Sequence, residues 1–190
     1  MSLFTSPNAF PEKAFVFKVI IVGDGGVGKT SMCMRATRNT YCADYKLTLG
    51  TGFFSHEFDL EEIDGSIAIQ IWDLGGQKKF GSILKSFTQN AKGAILAFDI
   101  SSMESFSELT NRWKPFLEST LPDVPIILAS TKHDLPVEER IISERLIREF
   151  IEAEQHSKGL NIISYLPTSS KIGLNVHECF TELAKAILNI

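Results

Sequence analysis

The sequence predicts one α/β domain with a mostly parallel sheet and a single antiparallel hairpin. Two apolar runs, residues 93–99 and 125–130, lack alternation. Strands of that kind have both faces covered, as in a parallel sheet flanked by helices. By contrast, residues 54–60 and the Ile67, Ile69, Ile71 series alternate, and Asp64-Gly65 lies between them. Asp-Gly between alternating runs is a strong hairpin signal, so these two strands are expected to be antiparallel neighbours.

The elements follow in order. Residues 1–14 contain Pro7 and Pro11 among small polar neighbours and read as a flexible N-terminal extension, leaving 15–190 as the folded domain. Residues 15–22 are short, β-branched and aromatic, and glycines follow at once, which marks a buried strand. Residues 102–119 carry Phe106, Leu109, Trp113 and Phe116 at helical spacing, with Pro115 predicting a kink or an early end. Residues 138–156 place Ile142, Leu146 and Phe150 on one helical face, with Ile147 and Ile151 beside it. After an apolar run at 162–166, a last helix repeats Val176, Cys179, Phe180, Leu183, Ala184 and Ile187 with a period near 3.6.

Composition removes several function classes. The chain has 190 residues, 44% hydrophobic and 22% charged, which suits one ordinary globular domain. Its net charge of 19 − 23 = −4 argues against a broad nucleic-acid surface, which needs clustered excess Lys and Arg. Cys33, Cys42 and Cys179 are odd in number and lack metal-ligand spacing, so a reduced, cytoplasmic chain is expected. No apolar stretch approaches the roughly 18–20 residues that a bilayer requires. Nor does a charged n-region precede an apolar one, and Ser2 stands where myristoylation needs Gly.

The chemistry begins at Gly23-Asp24-Gly25-Gly26-Val27-Gly28-Lys29-Thr30, which fits G-x-x-x-x-G-K-[ST] directly after a strand and at the opening of a helix. Glycines let successive N–H groups turn inward as an anion nest, and the helix start adds its positive end. Lys29 can reach outer phosphates and the Thr30 hydroxyl can ligate Mg²⁺. This octapeptide predicts a phosphate site without naming the base or the reaction.

Four further segments narrow the reading. Trp72-Asp73-Leu74-Gly75-Gly76-Gln77 ends the second hairpin strand. There Asp73 can hold Mg²⁺ through water, Gly76 can bring its N–H against a terminal phosphate, and Gln77 can orient an attacking water. In Thr131-Lys132-His133-Asp134, the carboxylate suits guanine N1–H and the N2 amine, a donor pair adenine lacks. The Lys132 stem can lie across the base. Thr168-Ser169-Ser170-Lys171 offers backbone N–H groups to guanine O6. In the link before the hairpin, Thr48 can complete a Mg²⁺ shell and Tyr41 can cover the ribose. Taken singly, each of these segments also reads as an ordinary loop.

From about Phe15 to Leu188 the order of these residues resembles the Ras superfamily of small GTP-binding proteins, most of all the Rab branch. The residues from Phe17 to Thr30, Tyr41 seven before Thr48, Trp72-Asp73 before Gln77, and Phe80 carry that likeness. The resemblance implies a P-loop NTPase G domain whose six-stranded sheet is flanked by five helices. Mobile switches are implied near residues 41–52 and 74–87. Implied nucleotide contacts are Asp24, Gly25, Gly26, Val27, Gly28, Lys29, Thr30, Ser31, Tyr41, Thr48, Gly76, Thr131, Lys132, Asp134, Ser169, Ser170 and Lys171, with Thr30, Thr48 and Asp73 at Mg²⁺. Lys29, Thr48, Gly76 and Gln77 are the implied hydrolytic residues.

Three departures stand out. Asp73-Leu74-Gly75-Gly76-Gln77 has Leu-Gly where Rab proteins usually have Thr-Ala, and it resembles Arf-type or septation and mitotic-exit GTPases. Thr48-Leu49-Gly50 and Thr131-Lys132-His133-Asp134 are similar to that last group. Thr131 replaces the usual Asn that ties the base site to the phosphate loop, as in Rho-type relatives. The sequence stops at Ile190 with neither a C-a-a-X box nor paired terminal cysteines, so the prenylated tail of the family is not expected.

The resemblance therefore implies a switch that binds GTP or GDP with Mg²⁺ and hydrolyses slowly until a GTPase-activating protein intervenes. An exchange factor resets it, and effectors read the switches through Phe53, Trp72 and Phe87. Recruitment to a membrane would come through partners, with no lipid site and no nucleic acid. Two rivals remain open: a pseudo-GTPase that holds nucleotide without turning it over, and an adenine-nucleotide enzyme built on the same loop.

Overall fold

A computed structural model describes residues 14–42, 48, 50–63, 65–77 and 81–190. Six strands form one sheet: β1 (Ala14–Val22), β2 (Thr51–Asp59), β3 (Ser66–Leu74), β4 (Gly93–Asp99), β5 (Ile126–Thr131) and β6 (Ile162–Pro167). Their spatial order is β2-β3-β1-β4-β5-β6, with only the β2–β3 pair antiparallel. The helices are α1 (Lys29–Arg38), α2 (Gly81–Thr88), α3 (Met103–Glu108), α4 (Lys114–Thr120), α5 (Glu144–Ser157) and α6 (Val176–Leu188). A π-helical turn, Leu109–Trp113, joins α3 to α4 without leaving helical geometry, so five rods flank the sheet. This is the α/β architecture the sequence predicts.

The missing alternation in the central strands has a direct cause. Val19 and Ile21 of β1 and Ile95 of β4 pack under α1 and α6, with Met32, Cys179, Phe180 and Leu183. Ile20 and Val22, with Leu96 and Phe98, face the other layer, against Leu109, Trp113, Leu117 and Ile147. All seven β4 residues are buried, so neither face of that strand tolerates a polar residue facing water.

Three details differ from the sequence reading, and the hairpin adds a loop length that the reading left open. β1 begins at Ala14, one residue inside the extension expected at 1–14; residues 1–13 of that extension lie outside the described residues. The hairpin pairs as expected, with Phe53 opposite Trp72, but it is not closed by a two-residue turn. β2 ends at Asp59 and β3 starts at Ser66, and Ile63 N–H bonds back to Leu60 O. Asp64 itself, like Leu49 and Phe80, is outside the described residues.

Helix α5 starts at Glu144, not near 138, because Ser143 caps it by accepting the Leu146 N–H and because the Ile141 and Ile142 N–H groups both point to Ile100 O. Ile142 is buried all the same, in the approach to the helix. Finally, Pro115 does not end its helix. Lys114 N–H bonds to Leu109 O, five residues back. That wider turn sits just ahead of Pro115, which can donate no hydrogen bond, and the helix resumes to Thr120.

Candidate functional site

Beyond the ends of β1, β3, β5 and β6 opens a cleft of about 420 Å³. Its walls are residues 25–31, Tyr41, Cys42, Thr48, Gly76, Gln77, Thr131, Lys132, Asp134, Leu135, Ser170 and Lys171. Sites at the carboxyl ends of parallel strands are the rule in open α/β sheets. Three of the sequence-selected residues stand one layer behind this wall. Asp24 meets Lys29 through its carbonyl, Asp73 meets Thr30, and Ser169 meets Asp134.

The phosphate loop leaves β1 at Gly23, whose φ of 143° and surroundings demand glycine. A Cβ there would fall 2.1 Å from Ala97 O of β4. The chain then turns into α1, whose N-cap is Gly28 and whose first residues are Lys29 and Thr30. Lys29 is 6% exposed, and its Nζ donates to Gly23 O and Asp24 O at 2.7 Å each. Two neutral carbonyls replace the water poorly. Burial lowers the lysine pKa from its ordinary 10.5 to about 8, against the opposing pull of Asp73 and Asp24. That displacement is worth roughly 3 kcal/mol to the neutral form, a deficit an anion would relieve.

Thr30, Thr48 and Asp73, drawn from three separate elements, meet. The Thr30 hydroxyl donates to Asp73 Oδ2, and the Thr48 hydroxyl lies 2.7 Å from Thr30 Oγ1. Asp73 is fully buried at the end of β3, and its Oδ1 has no hydrogen-bond partner among the described residues. Burial raises its pKa, partly countered by the Thr30 hydroxyl and Lys29. A buried orphan oxygen costs on the order of 1–3 kcal/mol. Hard oxygen donors of this kind, two hydroxyls and a carboxylate, fit Mg²⁺, which keeps several waters of its own. No cluster of three or more His, Cys, Asp or Glu competes for a metal among the described residues.

Gly76 presses against the phosphate loop. A Cβ on it would come within 2.3 Å of Asp24 C, 2.4 Å of Gly25 N and 2.6 Å of Gly23 O, all backbone. No side chain fits without parting the two segments. Gln77 follows at the cleft wall. Gly75 N–H bonds to Gly50 O at 2.8 Å, which holds the segment after β3 to the start of β2.

The other end of the cleft is already bonded. Asp134 Oδ1 accepts from Ser169 Oγ at 2.6 Å, and Oδ2 lies 3.5 Å from Lys171 Nζ. Burial works against its charge, but the Ser169 hydroxyl, the backbone N–H and Lys171 outweigh it and hold the carboxyl below its usual range. Lys132 pairs with Asp99 at 2.5 Å. Thr131 supplies the tie expected of an asparagine: its hydroxyl is 2.6 Å from Val27 O in the phosphate loop and 3.0 Å from Phe98 O. One hydroxyl has one proton, so it serves these two carbonyls in turn.

Three arginines that the sequence reading left without a role at the cleft brace it. Arg35 of α1 donates to Ser170 O at 2.6 Å and Lys171 O at 2.8 Å. Arg140 donates to Leu135 O and His133 O, at 3.0 and 2.8 Å. Arg112, on the π turn, reaches Gly76 O at 2.6 Å and Asp24 Oδ1 at 3.1 Å. Backbone carbonyls are their main targets, and a carbonyl leaves no signature in a sequence. Outside the cleft, Phe53 stands 62% exposed with its ring edge-on to Trp72 at 4.6 Å, and Trp72 meets Phe87 at 5.6 Å.

With this geometry in view, the sequence profile of the Ras family matches residues 18–189. The chain belongs to the Ras family. Within it the relatives are Rab-like. Ras-related protein RABG3f of Arabidopsis thaliana is 36% identical over 178 residues, covering 91% of this chain and 82% of the relative. Ras-related protein Rab-7b of Bos taurus is 34% identical over 182 residues, covering 94% and 86%. The GTP-binding protein ypt1 of Schizosaccharomyces pombe is 30% identical over 177 residues, covering 93% and 82%. This Rab-like small GTPase has no helix, among its described residues, long and apolar enough to cross a membrane.

Proposed function

We propose that this Ras-family chain is a guanine-nucleotide switch that binds GDP and GTP with Mg²⁺ and slowly hydrolyses GTP. The observation that carries the reading is convergence: five stretches far apart in sequence line one cleft. Lys29, the loop N–H groups and the start of α1 bind phosphate. Tyr41, 43% exposed at the wall, covers the sugar, and Asp134 reads the base edge with the Ser170 and Lys171 backbone opposite it. Lys132, ion-paired to Asp99, would lay its stem across the base.

Thr30, Thr48 and Asp73 would hold the magnesium, which when bound supplies charge neutralisation to the outer phosphates. Phosphoryl transfer to water runs through a loose transition state, so the protein's task is positioning and charge stabilisation. Lys29 draws charge toward the leaving side, Gly76 offers its N–H to the terminal phosphate, and Gln77 orients the water. After hydrolysis the contacts from Thr48 and Gly76 to that phosphate are lost, and residues 41–52 and 74–87 change state together. Effectors would read that change at Phe53, Trp72 and Phe87, while an exchange factor and a GTPase-activating protein set its timing.

Single-turnover hydrolysis of bound GTP, in the wild type beside Gln77→Leu, tests the reading. A slow wild-type rate that falls about a hundredfold in the variant is expected. Equal, unmeasurable rates with GTP firmly bound would leave a nucleotide-holding module instead.

A further inference from the structure

Arg112 lies outside the recognised motifs, yet it bonds both the phosphate loop and the segment that follows β3. Its side chain is 17% exposed, with the guanidinium stacked on the Trp113 ring at 4.4 Å. Nη1 donates to Gly76 O at 2.6 Å and lies 3.1 Å from the Asp24 carboxylate. The π turn puts it there: its wide hydrogen bond, Lys114 N–H to Leu109 O, re-aims this stretch of helix, and such turns concentrate at functional sites.

The acceptor matters. Gly76 O belongs to the peptide plane that joins Gly76 to Gln77, so a charged donor on that oxygen fixes the direction in which Gln77 leaves the loop. The opposite side of Gly76 rests on the backbone of residues 23–25, where no Cβ fits. Held on both sides, the residue before Gln77 has little freedom. Arg112 is not among the residues lining the cleft, so it is not placed to touch a phosphate.

Resting on the switch reading above, we propose that Arg112 is a positioning residue for hydrolysis. It locks the Gly76–Gln77 peptide to the phosphate loop, with Asp24 as its second anchor, and thereby aims the Gln77 side chain at the water. A guanidinium suits this task because both bonds leave one planar nitrogen, Nη1, at fixed angles, which a rotating ammonium does not keep. Nη2 is buried with no hydrogen-bond partner among the described residues.

The test is a cycle of single-turnover GTP hydrolysis on the full chain with magnesium: wild type, Arg112→Met, Gln77→Leu and the double variant, with GDP dissociation measured in each. Arg112→Met should hydrolyse about ten- to a hundredfold more slowly while GDP dissociation stays within about twofold. In the Gln77→Leu background the same change should alter the rate less than about twofold, since the side chain it aims is gone. If Arg112→Met does not fold, Arg112→Lys enters the same cycle with a fall of about threefold. An unchanged rate overturns the proposal. So does a loss that persists without Gln77, or one matched by a loss of GDP binding. A wild type that hydrolyses GTP beside an equally fast Arg112→Met defeats this proposal alone; a wild type that binds no guanine nucleotide defeats the switch reading with it.

Discussion

At the phosphate end of the cleft Lys29 is buried against two backbone carbonyls and Asp73 keeps one oxygen without a partner. At the base end Thr131, Lys132, Asp134 and Ser169 are each already hydrogen-bonded or ion-paired within the protein. The first end is a set of unmet electrostatic demands, so a phosphate and a cation would change its energetics most. The second is preorganised, so it discriminates between bases at little cost in reordering. Affinity and selectivity therefore sit in different halves of one cleft, braced by different arginines.

The largest effect that would break this division is expected at the base end. Asp134→Asn should shift preference from guanine to xanthine nucleotides by about a thousandfold, because a site built for a donor pair rejects its absence strongly. Competition binding with both bases reads it. A loss of GDP affinity without the xanthine shift would mean that Asp134 only holds the loop.

At the phosphate end, Lys29→Met should cost about a hundredfold in GDP affinity, the worth of charge-assisted bonds to an outer phosphate, with guanine preference intact. Equilibrium titration with GDP and ADP separates affinity from preference. Next comes pH. With the Lys29 pKa near 8, the free protein loses that proton as pH rises, and phosphate binding restores it. Binding then takes up a proton, so GDP affinity should fall by about tenfold for each pH unit above 8. Lys29→Met should show no such slope, and calorimetry in two buffers would register the proton. The smallest change is at the brace: Arg35→Met frees the Ser170 and Lys171 carbonyls, and GDP should dissociate about threefold faster with hydrolysis unchanged.

Legibility followed the same division between groups that need a residue type and groups that need only a place. The phosphate loop is readable because its geometry excludes side chains: Gly23 meets a carbonyl of β4, and no other residue fits. The central strands are readable because both faces are buried, which forces unbroken apolar runs. Thr131 is instructive in a different way. Its hydroxyl spans to Val27 O although a shorter side chain replaces the amide, a distance only the fold fixes.

The arginines escaped for the converse reason. Arg112 depends on a wider hydrogen bond in one helical turn, whereas Pro115 by itself predicts a kink or an early end and not a π turn. Asp64-Gly65 marks the hairpin, and β2 and β3 do pair antiparallel, but the length of the loop between Asp59 and Ser66 is not written in that dipeptide. Ile142 fits a helical face by spacing while its N–H is taken by Ile100 O, so periodicity and backbone bonding disagree there.

The most direct test of a magnesium-bound guanine nucleotide in this cleft is the content of the protein itself. After purification with magnesium, denaturation should release GDP or GTP approaching one molecule per chain, identified by chromatography. Release of an adenine nucleotide, or of none even after incubation with excess GDP and magnesium, would contradict the account.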